Sequence, residues 1–382
     1  MNTRYAIAVP EDYDEIIDLA NYVFSHDHGP HDFPVLLPKL YRPDYFADAV
    51  HYLAREDGRI KAVIGAYPLA WEFPEGIIAG RGVGMVSVHP YCRSRGYMKT
   101  LMHTALEDMK RDRMIFSCLG GQRQRYEYFG YAPAGMRYTF ACTDANIRHT
   151  LGRKTAGLAL KPVSPDDTAL LDAMYALHTA ETVRLRRSRE RFYAILSSWN
   201  ARIFAVLAGT RFQGYLTGTD SLISEIRLTD NSLFAEVIGL FLQEQHKKET
   251  QISVGPHETE KIAALAGFAE DYCISPAYRF AVFDYVRFLA PFLALQSRLK
   301  PLPDGSFVLQ IEKGPRLELS ARSGNAAIRE TDAPAEAVLN RLDALRFLGA
   351  AFPESAFPAV RQNAFLSSLL PLPVFFGRQD ML

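Results

Sequence analysis

The sequence has little of what marks several protein classes. Its four cysteines, Cys92, Cys118, Cys142 and Cys273, stand far apart without metal-ligand spacing, which argues against a disulfide framework and a cysteine-built zinc site. Free thiols in a reducing compartment, by default the cytoplasm, are the expectation. Charge of one sign is not in excess: Lys plus Arg and Asp plus Glu number 43 each, so no broad basic face for nucleic acid or anionic membrane is expected. No run approaches the ~20 apolar residues that span a bilayer, and Met1 to Pro10 lacks the apolar core of a leader. Phe365 to Phe376 is strongly apolar, but its prolines, serines and short length make it a buried segment instead.

What the sequence does have is apolar periodicity. Hydrophobic residues make up 48% of the 382, enough for two or three domains with separate cores. Tyr5 to Val9 reads as a strand and Glu11 to Phe24 as a helix with Ile16, Ile17, Ala20, Val23 and Phe24 on one side. His51 to Arg55 and Ile60 to Phe73 read as a hairpin turning at Asp57 and Gly58. Val83 to Val88 is an apolar strand leading through His89 and Pro90 into a helix striped by Met98, Leu101, Met102, Ala105, Leu106 and Met109. Met114 to Leu119 reads as a strand, and Gln122 to Tyr131 as a short helix. From Leu158 a similar order restarts, indicating an internal structural repeat, and beyond Asp284 the pattern changes again. The expected fold class is α/β (α+β), with units at 1–150, 151–284 and 285–382.

One segment carries chemistry. Val86, Ser87 and Val88 end a strand; Arg93, Ser94, Arg95 and Gly96 form a turn; Tyr97 and Met98 open a helix. The first amides of a helix lack internal partners and its dipole favours anions, so a diphosphate can sit there. Gly96 permits close approach, and the two guanidinium groups suit phosphate oxygens. Neither the Walker loop nor the three-glycine dinucleotide fingerprint is present.

Val86 to Met98 resembles the coenzyme A-binding motif of the GNAT N-acetyltransferases, Arg/Gln-x-x-Gly-x-Gly/Ala, with Met98 at the last position. Gln122 to Tyr131 is similar to that family's Tyr-x-x-x-Gly-Phe/Tyr segment, in which the tyrosine lies beside the thioester sulfur. The three-part layout resembles the Eis (enhanced intracellular survival) type, which implies tandem GNAT-like domains with mixed central sheets and a smaller sterol-carrier-like C-terminal domain. It implies acetyl-CoA as cosubstrate, a primary amine of a small molecule or peptide as acceptor (polyamine-, aminoglycoside- or lysine-like), and a homo-oligomer, with a hexamer as one form. In the second unit Asp230-Asn231-Ser232 stands where the arginines and glycine would be, so one cofactor site per chain is expected.

Tyr126 is the expected acid for the departing thiolate, because a phenol of pKa ~10 is protonated at neutral pH. The resemblance implies that the terminal carboxylate, here that of Leu382, folds back into the site. Phe24, Asp27, His28 and Met85 are expected to contact the acceptor. His26, His28 and His31 fit no common zinc spacing, and no metal is expected. The alternative is an acyl-CoA-responsive lipid- or ligand-binding protein without efficient turnover.

Overall fold

Pairing of the apolar runs produces most of the architecture, described by a computed structural model over residues 3–152 and 157–382, without the side chains of Asp27 and His28. The first half supplies β1 (Thr3–Ile7), β2 (Val50–Glu56), β3 (Arg59–Phe73), β4 (Gly76–Val88), β5 (Phe116–Leu119) and β6 (Ala132–Thr143). The second half supplies β7 (Leu158–Pro162), β8 (Arg184–Leu185), β9 (Arg202–Ala208), β10 (Arg211–Thr219), β11 (Leu222–Leu228), β12 (Glu249–Val254) and β13 (Asp271–Val282). All thirteen join one mixed sheet in the order β1-β2-β3-β4-β5-β13-β6-β12-β11-β10-β9-β7, with β8 beside β3.

That order is symmetrical. On one side an antiparallel meander ends in the parallel pair β4 and β5; on the other, a matching meander ends in the parallel pair β11 and β12. At the centre the last strand of each half crosses over, β13 pairing with β5 and β6 with β12, and β6 and β13 pair with each other. The exchange makes the sheet continuous.

Beyond β13, the helix Tyr285–Leu299 packs Phe288, Leu289 and Phe292 against Trp71, Phe116 and Phe280 of the sheet. A four-stranded sheet follows, of Gly305–Ile311, Arg316–Arg322, Asn325–Glu330 and Ala337–Leu339. Phe365 to Phe376, read as buried, is a helix at Ala364–Leu369 and then an extended run, with Phe365 and Phe376 both in the core.

Among the strands that differ from the sequence reading are β4 and β6. β4 begins at Gly76 rather than Val83, because Gly80, Gly82 and Gly84 interrupt its apolar pattern. Those glycines remove side chains from one face, where Phe116, Leu382 and Tyr67 press against the backbone. β6 had no expected strand, and its Gly135 (φ 75°) sits where a Cβ would overlap the Val374 carbonyl. Among the described residues no helix is long and apolar enough to cross a membrane.

Candidate active site

The site forms where two parallel strands part. β4 and β5 pair from Gly80↔Phe116 to Val83↔Leu119, after which β5 stops and β4 runs on to Val88. β4 also bulges here: between the pairs Val63↔Ser87 and Gly65↔Gly84, Ile64 faces both Met85 and Val86. Met85 takes a φ of 54°, so part of the β4 backbone leaves the ladder beside the gap.

One wall of the gap is a helix start. Gly96, at φ 83°, caps the helix Tyr97–Arg111 without any side-chain cap. Its first bond runs from Thr100 N to Gly96 O at 3.0 Å, which leaves the amides of Tyr97, Met98 and Lys99 ahead of the intrahelical ladder. A Cβ on Gly96 would meet nothing within 4 Å, so glycine serves the backbone angle and the space before the turn is open. Val86, Val88, Arg93, Ser94, Gly96 and Met98 are among the residues lining a cleft of about 460 Å³ there.

Arg95 donates to Glu56 at 2.6 Å, and the Tyr97 hydroxyl donates to the same carboxylate, so Arg95 braces the turn. Both Arg93 and Arg95 line the cleft. Ser87 is buried, and its Oγ has no hydrogen-bond partner among the described residues. Met98 is half-buried on the helix stripe, as its spacing implied.

The end of the chain meets the same strand. Leu382 lies on β4, where a Cβ on Gly82 would overlap its Cδ1 and one on Gly84 would come within 3.6 Å of its Cβ. Its amide donates to the Tyr278 hydroxyl at 3.4 Å, and that hydroxyl would stand 3.2 Å from a Cβ on Gly120, just past β5. Gly121 packs on the ring of Tyr126, which is 5% exposed. Burial raises the Tyr126 phenol, with Arg125 and Arg279 opposing. The end of β5 therefore gathers Tyr126, Tyr278 and Leu382. Tyr126 itself sits in the core behind Arg125, Tyr128 and Phe129, which line the cleft.

Upstream, Asp380 receives both Nε and a terminal nitrogen of Arg187 at 2.9 Å, while Arg187 also forks onto Glu225. Gln379 is fully buried and donates to Leu196 O at 2.9 Å. A second cleft, of about 430 Å³, opens beside this tail and is lined by Tyr67, Leu69, Leu185, Ile195 and Leu382.

Of the expected acceptor contacts, Phe24 and Met85 do not line that cleft. Phe24 packs on Phe33 and His31 at 4.9 and 5.3 Å between ring centroids, and Met85 is buried in the same cluster. The side chains of Asp27 and His28 lie outside the described residues. Among the described residues no group of three or more metal-ligating side chains is gathered. Arg187, Tyr278 and Gly82 were missed by sequence reasoning; only the alternation Gly80, Gly82, Gly84 offered a local signal.

In the second half, the corresponding turn follows β11. Asp230 accepts from Ser232 N at 2.8 Å, and that bond holds its carboxyl below the usual range. A carboxylate thus occupies the helix start.

Residues 4–134 match the family model of an acetyltransferase (GNAT) domain. No curated protein sequence matches the chain. Solved structures share its fold from end to end. A probable N-acyltransferase from Enterococcus faecalis V583 is 15% identical with a TM-score of 0.67, covering 100% of this chain and 97% of its own. A GCN5-related N-acetyltransferase from Kribbella flavida is 16% identical at TM-score 0.64, with 100% of both chains covered. Eis1 from Mycobacterium abscessus is 13% identical at TM-score 0.62, covering 100% and 99%. The matched stretch ends just inside β6, so it contains the parting strands, the Gly96 turn and Tyr126.

Proposed function

We propose that the chain transfers an acetyl group from acetyl-CoA to a primary amine of a small molecule or peptide. The observation that carries this reading is the parting of β4 and β5, with an uncapped helix start following β4 and the chain terminus lying on β4 at Gly82 and Gly84. The diphosphate sits on the amides of Tyr97, Met98 and Lys99 with Arg93 beside it, and Arg95 acts through Glu56 to hold the turn. The pantetheine arm lies along Val86 to Val88, where the bulge leaves backbone groups outside the ladder.

The amine nitrogen attacks the thioester carbonyl carbon, the tetrahedral intermediate collapses with loss of the C–S bond, and the sulfur takes the Tyr126 proton. Solvent returns that proton, and the amine loses its own to water. A buried phenol raised above its ordinary range is protonated at neutral pH and suits this task. The Leu382 carboxylate orients the incoming amine. The acceptor occupies the cleft beside Leu382 and Tyr67.

In this reading residues 1–150 are the catalytic GNAT unit and 151–284 a degenerate one, in which Asp230 fills the helix start and repels a diphosphate. Residues 285–382 form the sterol-carrier-like domain whose tail completes the site. The chain assembles as a homo-oligomer and works in the cytoplasm. A lipid carrier is less well supported: the cleft beside the four-stranded sheet is lined by Asp304, Glu318, Ser320, Arg322 and Arg329, a polar wall.

The test is release of free thiol from acetyl-CoA with a panel of primary amines that includes spermidine and kanamycin. Amine-dependent thiol release supports the proposal; none above background across the panel removes it.

A further inference from the structure

We infer that Lys39 is a positioning residue for acyl transfer, holding the last peptide bond of the chain so that the Leu382 carboxylate stands at the gap between β4 and β5. This rests on the acyltransferase reading above. Lys39 lies on the short helix Pro38–Tyr41 and is 5% exposed. Its Nζ donates to the Met381 carbonyl at 2.6 Å and to the Gln379 carbonyl. The Met381 carbonyl belongs to the peptide whose other end, Leu382 N, donates to the Tyr278 hydroxyl. The final peptide is therefore gripped from both sides, by the N-terminal half and by β13.

A lysine in such a place has to be explained. Burying an ammonium costs several kcal/mol, and an apolar side chain would pack there without that penalty. Burial lowers the Lys39 amine to about 7, with Asp380 and Glu225 opposing and Arg187 adding to the shift. A neutral amine has two N–H groups, and Lys39 meets two carbonyls, so donor number and acceptor number agree. Asp380 and Gln379 already fasten the tail to the second half through Arg187 and Leu196. Those contacts end two residues before the carboxylate. Lys39 acts on the carbonyl adjoining Leu382, where a small displacement moves the carboxylate itself.

The experiment compares wild type, Lys39→Met, a chain lacking Leu382, and the two changes combined. kcat and KM are measured with acetyl-CoA and spermidine, or the panel amine that turns over fastest. Release of Leu382 by a carboxypeptidase is followed separately, with circular dichroism and acetyl-CoA binding to verify folding. Lys39→Met is expected to lower kcat about 100-fold, as misplacement by an ångström does, with the KM for acetyl-CoA within about twofold. Removing Leu382 from that variant should cost nothing more, and carboxypeptidase should free Leu382 faster than from wild type. Wild-type kcat in Lys39→Met, losses that multiply in the combined variant, or unchanged carboxypeptidase release would overturn the inference. Absence of turnover in wild type would instead sink the acyltransferase reading, and the carboxypeptidase comparison would still decide whether Lys39 holds the tail.

Discussion

Gly82 and Leu382 compete for the same space: a Cβ on the glycine of β4 would overlap the Cδ1 of the terminal residue, 300 positions later. The chain end rests directly on strand backbone, at the point where β4 is about to leave its neighbour. That contact makes the terminus part of the site wall.

Replacement of two tail-facing glycines should have unequal effects. At Gly82 the obstacle is the end of a flexible leucine side chain, which can turn aside. At Gly135 the obstacle is the Val374 carbonyl, and the backbone angle of 75° disfavours any side chain. Gly135→Ala is expected to destabilise the protein by about 2–4 kcal/mol and Gly82→Ala by less than about 1 kcal/mol. Urea unfolding of both variants checks this, and equal losses would contradict the tail placement.

Tyr126→Phe removes the proton donor and leaves the ring packed beneath Gly121. Turnover should fall about 100-fold or more while the Kd for acetyl-CoA stays within about twofold. Measuring the two separately assigns the effect. Undiminished turnover would take Tyr126 out of the mechanism.

Much of the Gly96 turn was legible because its causes are local. Gly96 is needed for a left-handed angle at a helix start, and Val86, Arg93 and Met98 follow one another along that element. Tyr126 was reachable from a second short segment, Gln122 to Tyr131. The cleft beside the chain terminus was not, because its residues meet only through the fold: Lys39 bonds a carbonyl 340 residues away and Arg187 a carboxylate 193 residues away. Crossing of β13 between β5 and β6 has no local signature either, since either partner suits an apolar strand. Arg95 read as a phosphate ligand from the turn it stands in; its bond to Glu56, far off in sequence, had no local signal.

A buried amine at Lys39 carries a pH signature. Its value falls from 10.5 to about 7 through burial, against the pull of Asp380 and Glu225 and with the push of Arg187. Between those two pH values the unfolded chain binds more protons than the folded one, so Lys39 makes stability rise with pH across that window. The slope is at most about 1.4 kcal/mol per pH unit, and below pH 7 the contribution is flat. The difference in unfolding free energy between wild type and Lys39→Met should therefore grow from about pH 7 to 9. A difference that stays constant over that range would mean the amine is charged in the folded protein.

The most direct measurement is a calorimetric titration of the full chain with acetyl-CoA, repeated on Arg93→Ala. Saturation at one site per chain is expected, with affinity reduced about tenfold in the variant through loss of a charge-assisted phosphate contact. No saturable heat, or binding indifferent to Arg93 and present twice per chain, would contradict a single cofactor site at the Gly96 turn.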